Sequence, residues 1–144
     1  MKTTAKLFLL ALTISLASCS KSNDDNPSST SNNKTEQVSG NWTVTYYFDS
    51  GKDETNDYND YSFSFNESGV LIATNNSANF NGTWRIGDSS SDDDSSSNKL
   101  VIMITGNKAM DDLQDDWLIS QISQTEIRLV DDNPASAEEI RFGR

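Results

Sequence analysis

Between Trp42 and Phe142 the large apolar side chains recur at every second position in short runs, each closed by a cluster of polar residues or Gly. This alternation constrains the fold more than any other feature, because it sends one side of an extended chain into a core and the other into water. The first run sets Trp42, Val44, Tyr46 and Phe48 on the inner face and Thr43, Thr45 and Tyr47 on the outer one. Tyr61, Phe63 and Phe65 make the second, followed by the turn Asn66-Glu67-Ser68-Gly69, where Gly suits a positive φ. Val70 to Thr74 make the third, Phe80, Gly82, Trp84 and Ile86 the fourth, and Leu100, Ile102 and Ile104 the fifth. Trp117 and Ile119, with Ile122 after a bulge, make the sixth; Ile127 and Leu129 make the seventh, and Ile140 and Phe142 the last. Only Lys108 to Gln114 could form a turn or two of helix.

Eight short strands with mostly short polar connections predict an all-β chain, an antiparallel up-and-down meander closed as a barrel. Closure also removes the edges that invite aggregation. A two-sheet sandwich is the alternative, since local alternation is the same in both.

The N-terminus is an address. Lys2 and Lys6 precede the apolar run from Leu7 to Ala17, which fits the h-region of a signal peptide and is too short to span a bilayer. Leu16-Ala17-Ser18-Cys19 resembles the bacterial lipobox, an apolar residue and two small ones before a Cys. The resemblance implies that residues 1–18 are a lipoprotein signal peptide and that Cys19, the single Cys of the chain, carries the lipid. Several acyl chains hold a protein stably on a membrane where one does so only marginally. The expected location is the cell envelope, as an outer-membrane lipoprotein facing the periplasm or the surface. Asp24-Asp25 resembles the acidic export signal of surface lipoproteins of Bacteroidota, although it comes late and follows Lys21. Residues 19–38 then form the lipidated Cys and a Ser/Asn-rich tether, whose composition predicts a disordered coil with a span of roughly 25 Å. Residues 39–144 are the barrel domain.

Composition excludes several chemistries. With no His, the chain has no Ser-His-Asp triad or Cys-His pair, and with one Cys it has no His/Cys zinc site. A net charge of −11 argues against nucleic acid, which needs clustered Lys and Arg.

The motifs Gly40-x-Trp42, Phe63-x-Phe65-Asn66-x-x-Gly69, Gly82-Thr83-Trp84 and Trp117-x-Ile119 stand in that order behind the lipobox. Together they resemble the small lipocalin-like lipoproteins of Bacteroidota over about residues 38 to 144. The resemblance implies a lipocalin-like barrel closed by Trp42 against Arg144 through a cation–π contact. It also implies a binding site for a small apolar or amphipathic molecule, with Phe48, Tyr61 and Phe80 as pocket residues toward the open end. The domain departs from lipocalins in being short, in lacking a Thr-Asp-Tyr motif and in ending without a C-terminal helix. The alternative is a surface interaction protein with a filled barrel, whose acidic loops meet a partner protein or Ca²⁺.

Acidic groups are plentiful, as in Asp53, Glu54, Asp57 and Asp60 or Asp111, Asp112, Asp115 and Asp116. Catalysis by paired carboxylates needs one raised pKa across a rigid cleft, whereas these acids lie in polar loops. No enzymatic activity is therefore expected. The stretch from Gly87 to Asn98 is rich in small oxygen-bearing side chains, and Asp88, Asp92, Asp93 and Asp94 are weak Ca²⁺ candidates. Without the Gly and Glu of an EF-hand, binding there would be of about millimolar affinity. No cofactor beyond the covalent lipid is expected, and the chain is expected to be a monomer.

Overall fold

The computed structural model describes residues 27–87, 98–133 and 135–144. Helix α1 (Pro27–Val38) leads into β1 (Gly40–Asp49), which folds back on the two-residue β2 (Lys52–Asp53) before a 3-10 helix (Thr55–Tyr58). The meander continues through β3 (Ser62–Phe65), β4 (Val70–Thr74), β5 (Asn79–Ile86) and β6 (Lys99–Ile104). Helix α2 (Lys108–Asp112) then precedes β7 (Asp115–Ile122), β8 (Glu126–Val130) and β9 (Glu139–Gly143).

Leaving aside β2, each strand pairs with the next in sequence, always antiparallel. The last returns to the first, with Thr43 opposite Gly143 and Phe48 opposite Glu139. That pairing closes an eight-stranded up-and-down barrel and disposes of the sandwich.

The inner face follows the alternation almost throughout. Phe63, Phe65, Leu71, Ala73, Trp84, Leu100, Ile102, Ile104, Trp117, Ile127, Leu129, Ile140 and Phe142 are all buried. Their rings meet edge to face, Phe142 with Phe63 at 5.5 Å and with Phe65 at 5.6 Å between centroids, the arrangement that aromatic quadrupoles favour. The bulge in β7 lies between Ile119 and Gln121, and Ile122 packs against the core as a half-buried residue.

The first strand differs from its reading in sequence. A bulge between Val44 and Tyr46 inserts one residue against β9 and reverses the parity of everything beyond it. Tyr47, expected outside, is therefore fully buried. Tyr46 and Phe48, expected inside, lie on the outer side with parallel rings 6.4 Å apart, and Arg141 covers the Tyr46 ring. Arg141 is itself held there by Glu139, which accepts from its Nε at 2.6 Å and from both Nε and Nη2 of Arg128.

The tether differs as well. Its second half is α1, although Ser, Thr and Asn are poor helix formers. Packing overrides propensity: Val38 at the helix end is fully buried in the core, and Lys34 donates to Asn98 Oδ1 at 2.9 Å. The Ser39 amide and hydroxyl both donate to the Thr35 carbonyl, closing the last turn.

Candidate functional site

The two ends of the barrel are built differently. The chain enters at the base, where Trp42 is 1 % exposed and its Nε1 donates to the Val38 carbonyl at 2.7 Å. The guanidinium carbon of Arg144 sits 3.8 Å from the Trp42 ring centroid, and Arg144 Nη2 donates to the Ser39 carbonyl at 2.6 Å. Gly40, at φ +126°, makes room for this cover, since a Cβ there would come within 2.8 Å of the guanidinium. Helix α1 crosses the same end, leaving two open grooves beside it. One, of about 280 Å³, is lined by Glu36, Gln37, Ser123, Gln124 and Arg144; the other, of about 300 Å³, by Thr35, Glu67, Gly69, Trp84 and Arg85.

At the opposite end, where a lipocalin-like barrel would open, the interior is filled. Tyr58 of the 3-10 helix, Met110 of α2 and Leu113 just after it are 1 %, 0 % and 0 % exposed. The two lids are joined: Tyr58 OH donates to the Ala109 carbonyl at 2.9 Å, and Lys108 Nζ bridges Glu54 at 3.1 Å and Asp112 at 2.6 Å. Asn107 caps α2 by accepting from the Met110 amide, and its Nδ2 donates to Tyr61 OH at 2.8 Å.

Of the three sequence-derived pocket residues, Tyr61 and Phe80 come together under this roof, their centroids 6.1 Å apart, and both pack against the core. The Phe80 ring lies so close to Gly106, at φ +145°, that a Cβ there would overlap it. Phe48 is not with them; the β1 bulge has carried it to the outer face. The sequence reading missed Tyr58, Met110 and Leu113, whose signal is that each is a large apolar residue inside an otherwise polar loop.

Acidic groups crowd the rim. The connections at the filled end hold nine carboxylates and only Lys52 and Lys108 as bases. One of these acids, Glu138, follows Ala137 at φ +52°, a conformation that costs a non-Gly residue about 1 kcal/mol or more. Tyr47 OH donates to Glu138 Oε1 at 2.8 Å and to the Asp112 carbonyl at 3.3 Å. Burial pushes the Tyr47 hydroxyl far above its ordinary range, so it stays protonated and serves as a donor. Burial likewise pushes the Glu138 carboxyl up, with Asp49, Asp131 and Asp115 adding repulsion and Tyr47 opposing it. Asp115 is also raised, chiefly by burial. Glu139, one residue on, is lowered by Arg128.

These opposite shifts have opposite linkage. A carboxylate raised in the folded state costs stability above its folded pKa and stops costing it as pH falls below the unfolded value; a lowered one contributes at neutral pH and loses that contribution in acid. Glu138→Gln keeps an acceptor for Tyr47 and removes the charge. The variant should melt higher than the parent at neutral pH, with the difference shrinking toward about pH 4, the unperturbed carboxyl range. Thermal unfolding followed by circular dichroism at both pH values checks this; a variant that melts lower at neutral pH would mean the ionised carboxylate is favourable there.

Among the described residues no group of three or more Asp, Glu, His or Cys is arranged to hold a metal ion, and no helix is long and apolar enough to cross a membrane. Asp88, Asp92, Asp93 and Asp94 lie outside the described residues, as do Cys19 and the signal segment. Fold and rim together define a closed up-and-down β-barrel with a filled interior and an acidic face. No protein-family model, curated protein or solved structure matches the chain.

Proposed function

We propose that the chain is a lipid-anchored envelope lipoprotein whose barrel is a solid scaffold presenting acidic loops to a cationic partner. The observation that carries this reading is the filled end: Tyr58, Met110 and Leu113 occupy the space that a bound ligand would need. A small domain can spare little apolar area for a cavity, since its stability is a narrow surplus of burial over chain entropy. The acidic rim supports the rest. A cluster of charges of one sign attracts oppositely charged surfaces and accelerates their encounter, in a salt-dependent way. The lipobox resemblance at Cys19 supports the anchor, and the proposed location is the outer membrane.

An environment-sensitive apolar dye tests the scaffold against the ligand reading. It should stay dark with the native chain and brighten only as the chain unfolds. Saturable one-to-one binding to the folded chain, abolished by Tyr61→Trp without loss of stability, would instead establish a pocket beneath the roof and overturn the filled-scaffold reading.

A further inference from the structure

Helix α1 changes what the tether can do. Its last turn is fixed to the base of the barrel. Val38 is fully buried, its carbonyl accepts from Trp42 Nε1 at 2.7 Å, and the Ser39 carbonyl accepts from Arg144 Nη2 at 2.6 Å. One turn earlier Lys34 donates to Asn98 Oδ1 at 2.9 Å. Asn98 is itself held to β7: its Nδ2 donates to the Ile119 carbonyl at 3.2 Å, and its carbonyl accepts from the Ile119 amide at 2.8 Å. The helix thus lies against β5 and β7 at the end opposite the 3-10 helix and α2. A twelve-residue run rich in Ser, Thr and Asn does not stay helical alone, so helix and docking stand or fall together.

We infer that α1 is a strap that turns the base of the barrel toward the membrane and the filled end away from it. Tyr58, α2 and the rim acids then lie on the face offered to partners. Lengths decide this. From Cys19 to Pro27 there are eight residue steps, which reach about 28 Å at full extension and roughly 16 Å as a free coil. From Cys19 to Val38 there are nineteen, which reach about 65 Å and roughly 25 Å. The eight-residue strands β5 and β7, tilted as barrel strands are, make a wall about 20 Å high, and the helices over the filled end add about 10 Å. Inverting the barrel would therefore carry the base about 30 Å from the membrane, beyond what eight steps reach and within easy range of nineteen. The strap rests on the lipid anchor proposed above and is independent of what the rim acids bind.

The lipidated full chain in vesicles of phosphatidylethanolamine and phosphatidylglycerol tests it. Thr125→Cys at the base and Ser77→Cys at the filled end, both exposed, are each labelled with a maleimide donor, and the vesicles carry an acceptor lipid. Energy transfer should be about twofold stronger from the base, because the filled end stands roughly 30 Å farther out. Lys34→Pro breaks the helix and removes the link to Asn98, so in that background the two ends should give nearly equal transfer. A cooperative melt by circular dichroism verifies that each variant folds, and the comparison of the two ends in the parent background stands by itself if Lys34→Pro does not. Equal transfer from both ends of the parent, stronger transfer from the filled end, or a difference that survives Lys34→Pro would overturn the strap alone. The anchor is read separately: the chain without an added Cys should float with the vesicles and take up no maleimide. A chain that stays behind, or labels at Cys19, would overturn the anchor and the strap with it.

Discussion

Trp42→Ala should lower the stability of the domain by about 4 kcal/mol, near the middle of the range for truncating a buried aromatic. The ring is 1 % exposed, so its loss leaves a cavity at the base, where strands and helix converge. Two further interactions go with it: the bond from Nε1 to the Val38 carbonyl and the Arg144 cover. Without the indole, the Val38 carbonyl loses its donor, and such a loss costs about 1–3 kcal/mol when the group stays buried. Arg144→Ala, which removes only the cover, should cost about 1 kcal/mol, as for a partly exposed cation–π pair. Trp42→Phe keeps most of the apolar volume and should fall between the two. Urea unfolding followed by circular dichroism gives all three values. If Trp42→Ala cost no more than Arg144→Ala, the base would not be organised around the ring.

Much of this architecture is legible in the chain itself, and what is not legible has identifiable causes. Alternation places the strands of the barrel because nearly all have one buried and one solvated face, a demand that acts residue by residue; in β6 Val101 is buried as well as Leu100 and Ile102. It cannot announce where the alternation slips. At Thr45 nothing local marks the extra residue, since Thr43, Thr45, Tyr46 and Tyr47 are all good strand formers. The bulge arises from the long-range pairing with β9, and so the inner and outer assignments of Tyr46, Tyr47 and Phe48 come out reversed. The bulge in β7 is visible because Ile119 and Ile122 break the period of two on their own.

Helix α1 is hidden for a different reason. Its twelve residues contain no helix-forming stripe, and among its described side chains Val38 is the buried one, with polar links to the barrel beside it. The closure of the filled end is hidden too. Tyr58, Met110 and Leu113 come from connections that read as polar loops, and the space they fill exists only once eight strands have closed around it. Which of two lipocalin-like designs the chain follows, hollow or filled, is thus decided in the loops rather than in the strands.

Cys19→Ala should abolish incorporation of a labelled fatty acid and move the chain out of the outer-membrane fraction. The reasoning starts from what else could hold it there. The apolar run from Leu7 to Ala17 has eleven residues, against the roughly 20 needed to cross the hydrocarbon core as a helix. Among the described residues no helix is long and apolar enough to do so. The barrel wall faces outward with Ser, Thr, Asn, Lys and Arg among its apolar residues, and its strands run only four to ten residues, with an aromatic-filled interior. A transmembrane barrel would need a continuous apolar band outside and strands of about 9–11 residues. Surface attraction fails as well, because a chain of net charge −11 is repelled by an anionic leaflet. On the proposed reading the lipid at Cys19 is the means of attachment, so the loss of membrane association should be nearly complete rather than partial. The parent should pellet with membranes after high-salt and carbonate washes, and the variant should not. A variant that still pellets but has lost the label would mean that the chain is held by something other than the lipid at Cys19. One that keeps the label would mean that Leu16-Ala17-Ser18-Cys19 is not the modified site.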